Sequence, residues 1–348
     1  MLSRPALLCL AILTLSGCAP APPASIRQGA VFGTARAVLG PAAAVRVGGD
    51  VVTVLRSGEP TFAEIRRLLE QARSSIDVEV YEFGRADLAS ALTAAHARGV
   101  AVTVIADPSE AATTATALTL RASGIDVVDY PVRTRMIDHV KLLDVDGSVA
   151  VVGGINWGSG SYANHDFDVE VQGPVVGNLG RVFTRDLVTC GRTAVVPEAS
   201  VDPAVVVAAT LPGAEILPMV IAAIASARRS LDVAMYTLTD ADAVAAMEAA
   251  QARGVSVRVL LDPSERPSDP SATSLRAHGV AVRLYRSTGE KLHAKAAIVD
   301  GSTVVLGSAN WTVSGFTHNH ELDVAIPASR GVAASLEEQY QRDWTASA

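Results

Sequence analysis

Apolar and polar positions along this chain follow two parallel series, one in each half. Residues 75–81 (SIDVEVY) and 230–236 (SLDVAMY) have the apolar, β-branched-rich character of buried strands. An alanine-rich amphipathic helix is predicted after each, over 87–98 and 241–253, with Gly99 and Gly254 standing where a helix C-cap favours a left-handed residue. Residues 100–106 and 255–261 read as the next strands, running into Asp-Pro-Ser-Glu at 107–110 and 262–265. A further helix leads in each half to Gly124-Ile125-Asp126-Val127 and Gly279-Val280-Ala281-Val282, and leading helices are predicted over 62–73 and 217–229. Strands separated by helices of this length predict an α/β fold of two similar halves, each a largely parallel sheet flanked by helices.

Two further stretches carry the same spacing of functional residues. HVKLLDVDGSVAVVGGIN (139–156) and HAKAAIVDGSTVVLGSAN (293–310) both read His, any residue, Lys, four residues, Asp, six residues, Gly, Gly or Ser, any residue, Asn. Alternation on either side of Asp146-Gly147 and Asp300-Gly301 predicts two hairpins, added antiparallel to the sheet, because Asp-Gly suits the positive φ angles of a primed turn. With a two-residue loop, Val299 faces Ser302, His293 falls opposite Ser308 and Lys291 opposite Asn310. That register puts His293, Lys295, Ser308 and Asn310 on one face. The first hairpin presents His139, Lys141, Gly154 and Asn156 by the same count. Asp146 and Asp300 are turn residues that stabilise their hairpins. Asp144-Val145-Asp146-Gly147 has the start of a calcium loop, but no glutamate follows at the required position, so no metal is assigned there.

An imidazole, an ammonium and an amide on one rigid face suit a phosphate. Lysine is a compact charge for a non-bridging oxygen, amide and hydroxyl groups can donate to others, and histidine can attack or carry a proton. Two such faces meeting would form one site with two histidines, one attacking phosphorus while the other protonates the leaving oxygen.

The duplicated motif resembles that of the phospholipase D superfamily, and the resemblance covers the chain from about Val51 onward. It implies phospholipase D-like halves, each a mixed sheet flanked by helices, related by a pseudo-twofold axis. It also implies covalent phosphohistidine chemistry with no metal and no cofactor. By the same analogy His139 is the nucleophile and His293 the acid, with Lys141, Lys295, Asn156, Asn310 and Ser308 holding the phosphate oxygens. In the family an acidic residue downstream orients each motif histidine. Asn164-His165-Asp166-Phe167-Asp168-Val169 parallels Asn319-His320-Glu321-Leu322-Asp323-Val324, which gives that role to Asp166 and Glu321. His165 and His320 alternate away from the acids' face, and Trp157 and Trp311 read as core anchors. The halves differ at Gly154, which stands where the second has Ser308 and leaves the first without a hydroxyl donor, its backbone amide or a water substituting at the phosphate.

Composition adds few constraints. With 348 residues, 49% hydrophobic and 19% charged, the chain can bury two ordinary cores. The expected division is a first domain over 46–194, a proline-containing connector over 195–212 and a second domain over 213–348. The formal charge of −7 disfavours nucleic acid as a partner. Of 29 basic residues only Lys141, Lys291 and Lys295 are lysine, so two of the three are motif lysines. At the N-terminus, residues 1–17 have a basic flank and an apolar run too short to span a bilayer, as in an export signal. Leu15-Ser16-Gly17-Cys18 resembles a lipobox, which implies cleavage before Cys18 and lipidation of its thiol, with 18–45 as a tether. That places the enzyme outside the cytoplasm on a membrane; an ordinary signal with a chance cysteine would leave it secreted and soluble. Cys190 is then unpaired, and a monomer holds its site between the two repeats.

These features favour hydrolysis of phospholipid headgroups as the leading activity. Cardiolipin synthase-like phosphatidyl transfer uses the same residues, although such synthases usually carry membrane-spanning helices. A secreted endonuclease would need a basic groove. A surface binding module with a relic site is the non-enzyme alternative, and the two intact His-Lys pairs oppose it.

Overall fold

The computed structural model describes residues 42–201, 204–287 and 289–347. The first half opens with β1 (Val45–Val47), β2 (Asp50–Leu55) and α1 (Glu59–Gln71). Next come β3 (Ser75–Val80), α2 (Ala86–Ala97), β4 (Ala101–Ala106), α3 (Ala111–Ala122) and β5 (Asp126–Asp129). The motif hairpin is β6 (Lys141–Val145) and β7 (Val149–Gly153), followed by β8 (Asn164–His165), β9 (Asp168–Gln172) and α4 (Pro174–Thr189). The second half repeats the plan with β10 (Val206–Ala209), α5 (Ile216–Ser226), β11 (Ser230–Met235), α6 (Ala241–Ala252), β12 (Ser256–Leu261), α7 (Asp269–Ala277) and β13 (Ala281–Leu284). A short β14 (Lys291–Leu292) leads into the second hairpin, β15 (Lys295–Val299) and β16 (Thr303–Gly307). Then α8 (Val313–Thr317), β17 (Leu322–Ile326) and α9 (Arg330–Ala346) complete the half.

Each half is a mixed α/β sheet flanked by helices. The strand orders are β1-β2-β9-β7-β6-β3-β4-β5 and β10-β17-β16-β15-β11-β12-β13. Within them β3-β4-β5 and β11-β12-β13 are parallel, and each hairpin joins antiparallel to β3 or β11. Gly99 and Gly254 follow α2 and α6 at φ angles of 92° and 90°, the left-handed conformation that ends a helix without steric cost. Strands bury both faces. Leu142 and Val152 enter a core shared by the two halves, while Leu143 and Val151 enter the core under α1 to α3. The shared core continues through Val169, Phe183, Ile298, Val324 and Trp344. This apolar continuity presses the ends of the two motif hairpins together.

The structure departs from the sequence expectation in two places. The connector expected over 195–212 contains β10, which pairs antiparallel with β17 just as β2 pairs with β9, so this segment is part of the second sheet. The hairpin register is also displaced by one residue: Val145 pairs with Val149 and Val299 with Thr303. Asp146, Gly147, Asp300 and Gly301 do adopt left-handed φ angles of 58°, 59°, 52° and 62°. The turn closes through the N–H of Ser148 or Ser302 onto the carbonyl of Val145 or Val299, and strand pairing begins one residue later. A one-residue shift exchanges the faces of a strand. Ser308 therefore does not lie opposite His293 in a continuing ladder. Residues 1–17, Cys18 and the tether up to residue 41 lie outside the described residues.

Candidate active site

Each motif aspartate works at the turn. Asp146 accepts the backbone N–H groups of Arg73, Ser74 and Ser75 at 3.0, 2.7 and 3.0 Å, and Asp300 accepts those of Arg228, Arg229 and Ser230 at 2.9, 2.7 and 2.9 Å. These bonds hold Asp146 down to about 2 and Asp300 below the usual range, although partial burial pushes the other way. The hairpin is thus clamped to the start of β3 or β11, at the end remote from the histidines.

At the other end, Asp107 Oδ2 accepts the N–H of Asp138 at 2.7 Å and Asp262 Oδ2 accepts that of Leu292 at 2.8 Å. Each bond fixes the residue immediately before a motif histidine. Each histidine's own N–H then donates across to the opposite half, His139 to the carbonyl of His320 at 2.7 Å and His293 to that of His165 at 2.9 Å.

The side chains cross in the same sense. His139 Nδ1 lies 2.8 Å from Glu321 Oε2, and His293 Nδ1 lies 2.8 Å from Asp166 Oδ1. Each half therefore supplies the carboxylate that orients the other half's imidazole. The reciprocity expresses an approximate twofold relation and makes one site from two motifs. With Nδ1 held by a carboxylate, His139 presents Nε2 for chemistry, whereas the Lys295 amine lies 2.9 Å from His293 Nδ1 and 3.1 Å from its Nε2. Tyr81 lies edge-on to His139 at 5.1 Å between ring centroids, and Tyr236 is tilted against His293 at 4.9 Å.

Lys141 and Lys295 stand beside their own histidines, each ammonium donating to that histidine's carbonyl. Their Nζ atoms lie 5.4 Å from the ring centroids of Tyr81 and Tyr236. The cluster is nearly closed to solvent: His139 and His293 are each 6% exposed, Lys141 3% and Lys295 2%. Burial lowers Lys141 to about 7 and Lys295 to about 8, against the pull of the nearby carboxylates. Burial, then Lys141, Lys295 and His293, press His139 well below its ordinary value, so it is neutral. Burial lowers His293 as well, but Asp166 opposes the shift. Asp166 is itself held below the carboxylate range because His293 and Lys295 outweigh its burial, whereas burial takes Glu321 up to about 7. The two imidazoles thus sit in unequal fields.

Asn156 and Asn310 follow their hairpins on tight turns. Asp168 Oδ1 accepts the N–H of Ile155 at 3.0 Å and Asp323 Oδ1 that of Ala309 at 3.0 Å, which shapes the exit from each β7 or β16. A β-carbon at Gly153 or Gly307 would lie 2.1 Å from those carboxylate oxygens, so only glycine allows the turn. Ser308, expected on the phosphate face, is fully buried; its hydroxyl donates to Glu321 Oε2 at 2.6 Å and accepts the N–H of Leu322 at 2.9 Å. At Gly154 a β-carbon would sit 2.6 Å from Asp166 Oδ1. The asymmetry read from sequence as a missing phosphate donor is therefore one of packing: glutamate pairs with serine in one half, aspartate with glycine in the other.

Several contributors escaped the sequence reading. Tyr81 and Tyr236 close the repeated strands, and Asp107 and Asp262 open the repeated Asp-Pro-Ser-Glu that follows the next ones, so repetition marks all four. His165 and His320, expected to point away from the acids, do so, into buried carboxylates. Glu82 shares the mouth with Asn156, and Lys291 bonds the hydroxyl of Tyr236 at 3.1 Å.

Comparison with known proteins agrees with this architecture. A family model described as "Cardiolipin synthase, PLD-like domain" matches twice, over residues 65–187 and 220–344. Cardiolipin synthase A of Pseudomonas putida KT2440 is 28% identical over 333 residues, covering 84% of this chain and 68% of the relative. The mitochondrial cardiolipin hydrolase of Xenopus tropicalis is 35% identical over 119 residues, 34% of this chain and 56% of that protein. The crystal structure of phosphatidylserine synthase from Haemophilus influenzae Rd KW20 shares the fold at a TM-score of 0.67 and 13% identity, covering 87% of each chain. This chain spans 56% to 68% of the length of the two curated relatives. Two matched domains with two histidine-lysine pairs at their junction make the chain a member of the phospholipase D superfamily.

Proposed function

We propose that the protein transfers a phosphatidyl group between alcohols, as a cardiolipin synthase-like phosphatidyltransferase. The observation that carries the reading is the reciprocal pairing of His139 with Glu321 and of His293 with Asp166. Neutral His139 attacks phosphorus through Nε2, and the P–O bond to the departing alcohol breaks as the P–N bond forms. His293, whose proton Asp166 favours, protonates that oxygen. In the return step His293 takes the proton of an incoming hydroxyl, whose oxygen displaces His139 from phosphorus. Lys141 and Lys295 stabilise the charge on the non-bridging oxygens, helped by the amides of Asn156 and Asn310. An arriving phosphodiester anion favours the charged forms of His293 and both lysines, while burial and the two neighbouring ammonium groups keep His139 neutral for attack. Asp166, Glu321 and Ser308 position the rings without touching substrate.

Transfer rather than hydrolysis is favoured by the relatives named as cardiolipin synthases. Hydrolysis to phosphatidic acid, the leading reading from sequence alone, yields to it. Carboxylates flank the mouth, Glu82 and Glu110 near Tyr81 and Glu265 near Tyr236, which disfavours a nucleic-acid strand. No helix among the described residues is long and apolar enough to cross a membrane. The proposed anchor is the acyl group on Cys18, which would keep the enzyme on a membrane outside the cytoplasm. Vesicles of phosphatidylglycerol test the activity, with products resolved by mass spectrometry. Cardiolipin and free glycerol are expected, because transfer onto a second phosphatidylglycerol bridges two phosphatidyl groups through one glycerol. Phosphatidic acid alone would return the enzyme to hydrolysis, and nicking of plasmid DNA with intact lipid would make it a nuclease.

A further inference from the structure

One group of buried polar side chains behind the active site is present in a single half. Both halves place a carboxylate against the histidine that precedes the orienting acid: His320 Nε2 is 2.9 Å from Asp186 Oδ2 on α4, and His165 Nε2 is 2.7 Å from Asp343 Oδ2 on α9. Both rings stack on a tyrosine, Tyr130 at 5.1 Å and Tyr285 at 5.6 Å. To the His320 pair the chain adds Glu79 of β3 and Asp138, where the second half has Ala234 and Leu292. Glu79 Oε1 lies 3.6 Å from His320 Nε2. Glu79, Asp138 and His320 are 0% exposed and Asp186 2%. No N–H or hydroxyl group donates to either oxygen of Glu79 or to Asp138 Oδ2, and the carboxyls of Glu79 and Asp138 lie against each other.

Three carboxylates here face one imidazole and, on the far oxygen of Asp186, Arg185 at 3.8 Å. An unpaired buried carboxylate costs several kcal/mol, which is roughly the size of a domain's whole stability. The internal repeat shows that the fold does not need Glu79 and Asp138, since an alanine and a leucine serve at the same places. Ligand atoms of Glu79, Asp186 and His320 all lie within 4.8 Å of one another, as donors around one ion do. We propose that Glu79, Asp186 and His320 bind a divalent first-row transition cation of the Zn²⁺ or Mn²⁺ class, with Asp138 beside it. An imidazole with carboxylates suits such an ion better than calcium, which takes oxygen donors in larger number. A pocket of about 400 Å³, lined in part by Tyr130, Met136, Arg185 and Asp186, reaches the cluster from outside at Asp186. The ion takes no part in the reaction. It joins β3, α4 and the 320–321 segment, whose His320 carbonyl receives the N–H of His139 and whose Glu321 holds that ring. Its role is independent of which phosphodiester is turned over.

The test is metal content of the full chain, free of any affinity tag, by inductively coupled plasma mass spectrometry. The protein is stripped with EDTA, reloaded with Zn²⁺ or Mn²⁺ and dialysed. Wild type should retain close to one ion per chain and melt several degrees higher when loaded; Asp343→Asn, altered in the other half, should retain the same amount. Glu79→Gln and, independently, His320→Gln should lose the ion and the metal-dependent shift. Should both variants fail to fold, Co²⁺ reloading of wild type still decides: visible ligand-field bands support the site, and their absence overturns it. A metal-poor wild type with an unchanged melting midpoint, or a Glu79→Gln variant that keeps its ion, also overturns the proposal and leaves Glu79 as a protonated acid.

Discussion

Replacing Asp166 with asparagine should disable His293 while leaving His139 in place, because the carboxylate and the ring it orients come from different halves. The 2.8 Å contact between Asp166 Oδ1 and His293 Nδ1 is buried, with Asp166 0% exposed. A charge-assisted bond of this kind contributes about 1.5–3 kcal/mol, and loss of the correct tautomer in comparable triads lowers turnover by up to about 10⁴-fold. Turnover of a natural phospholipid should therefore fall by about 10² to 10⁴-fold, while the melting temperature drops by only several degrees and the protein stays folded. A phosphodiester with a p-nitrophenol leaving group separates the two steps, since that oxygen departs without a proton. Asp166→Asn should then give a rapid burst of nitrophenol, near one equivalent per enzyme, followed by slow turnover, because His293 can no longer activate the acceptor. Glu321→Gln, which releases His139 instead, should slow the burst itself. A burst abolished in Asp166→Asn but intact in Glu321→Gln would reverse the two roles. Near-normal turnover in either variant would refute the crossed arrangement.

Other consequences follow from the same geometry. Gly154→Ser should cost about 1–3 kcal/mol and most of the activity, since its β-carbon would lie 2.6 Å from Asp166 Oδ1 and displace the acid from His293; a soluble, fully active variant on denaturant and turnover assays would contradict this. With Lys141 lowered to about 7 and Lys295 to about 8, kcat/KM for an anionic substrate should fall as pH rises through 7 to 8 and the ammonium groups are lost; a flat profile up to pH 9 would count against their charged role. Asp77 and Asp144 face each other across β3 and β6, and burial raises them to about 6 and about 7. Their folded pKa values exceed the unfolded ones, so their stabilising protonation is complete below about pH 4 and is lost as pH climbs to about 7. Asp144→Asn should accordingly raise the melting midpoint at pH 8, by about 2 °C for about 1 kcal/mol of relieved repulsion, and change little at pH 4.

The repeat itself exposed most of the fold. Strand, helix and hairpin recur at matching intervals, and the glycines at 99 and 254 and the Asp-Gly turns are local signals that survive folding unchanged. The motif histidines and lysines were legible because their spacing occurs twice. The crossing of Asp166 to His293 and Glu321 to His139 was not, since it arises only when the shared core brings two distant segments together. Likewise, the one-residue register shift depends on how the turn hands over to the ladder, which alternation alone leaves open. It moved Ser308 from the phosphate to Glu321. Val206 to Ala209 lay hidden in a proline-flanked stretch because an edge strand takes its identity from its partner, here β17. Nothing near Glu79 in sequence announces His320 or Asp186, which reach it from 241 and 107 residues away.

The most direct test of a single site made by both halves is to find the covalent adduct. Enzyme mixed with a phosphodiester substrate, quenched in alkali within milliseconds and digested, should carry the phosphoryl group on the peptide that contains His139. The adduct should accumulate in His293→Asn, given an activated leaving group, and vanish in His139→Asn. Label on His293 in the wild-type enzyme, or turnover with no label on either histidine, would contradict the account.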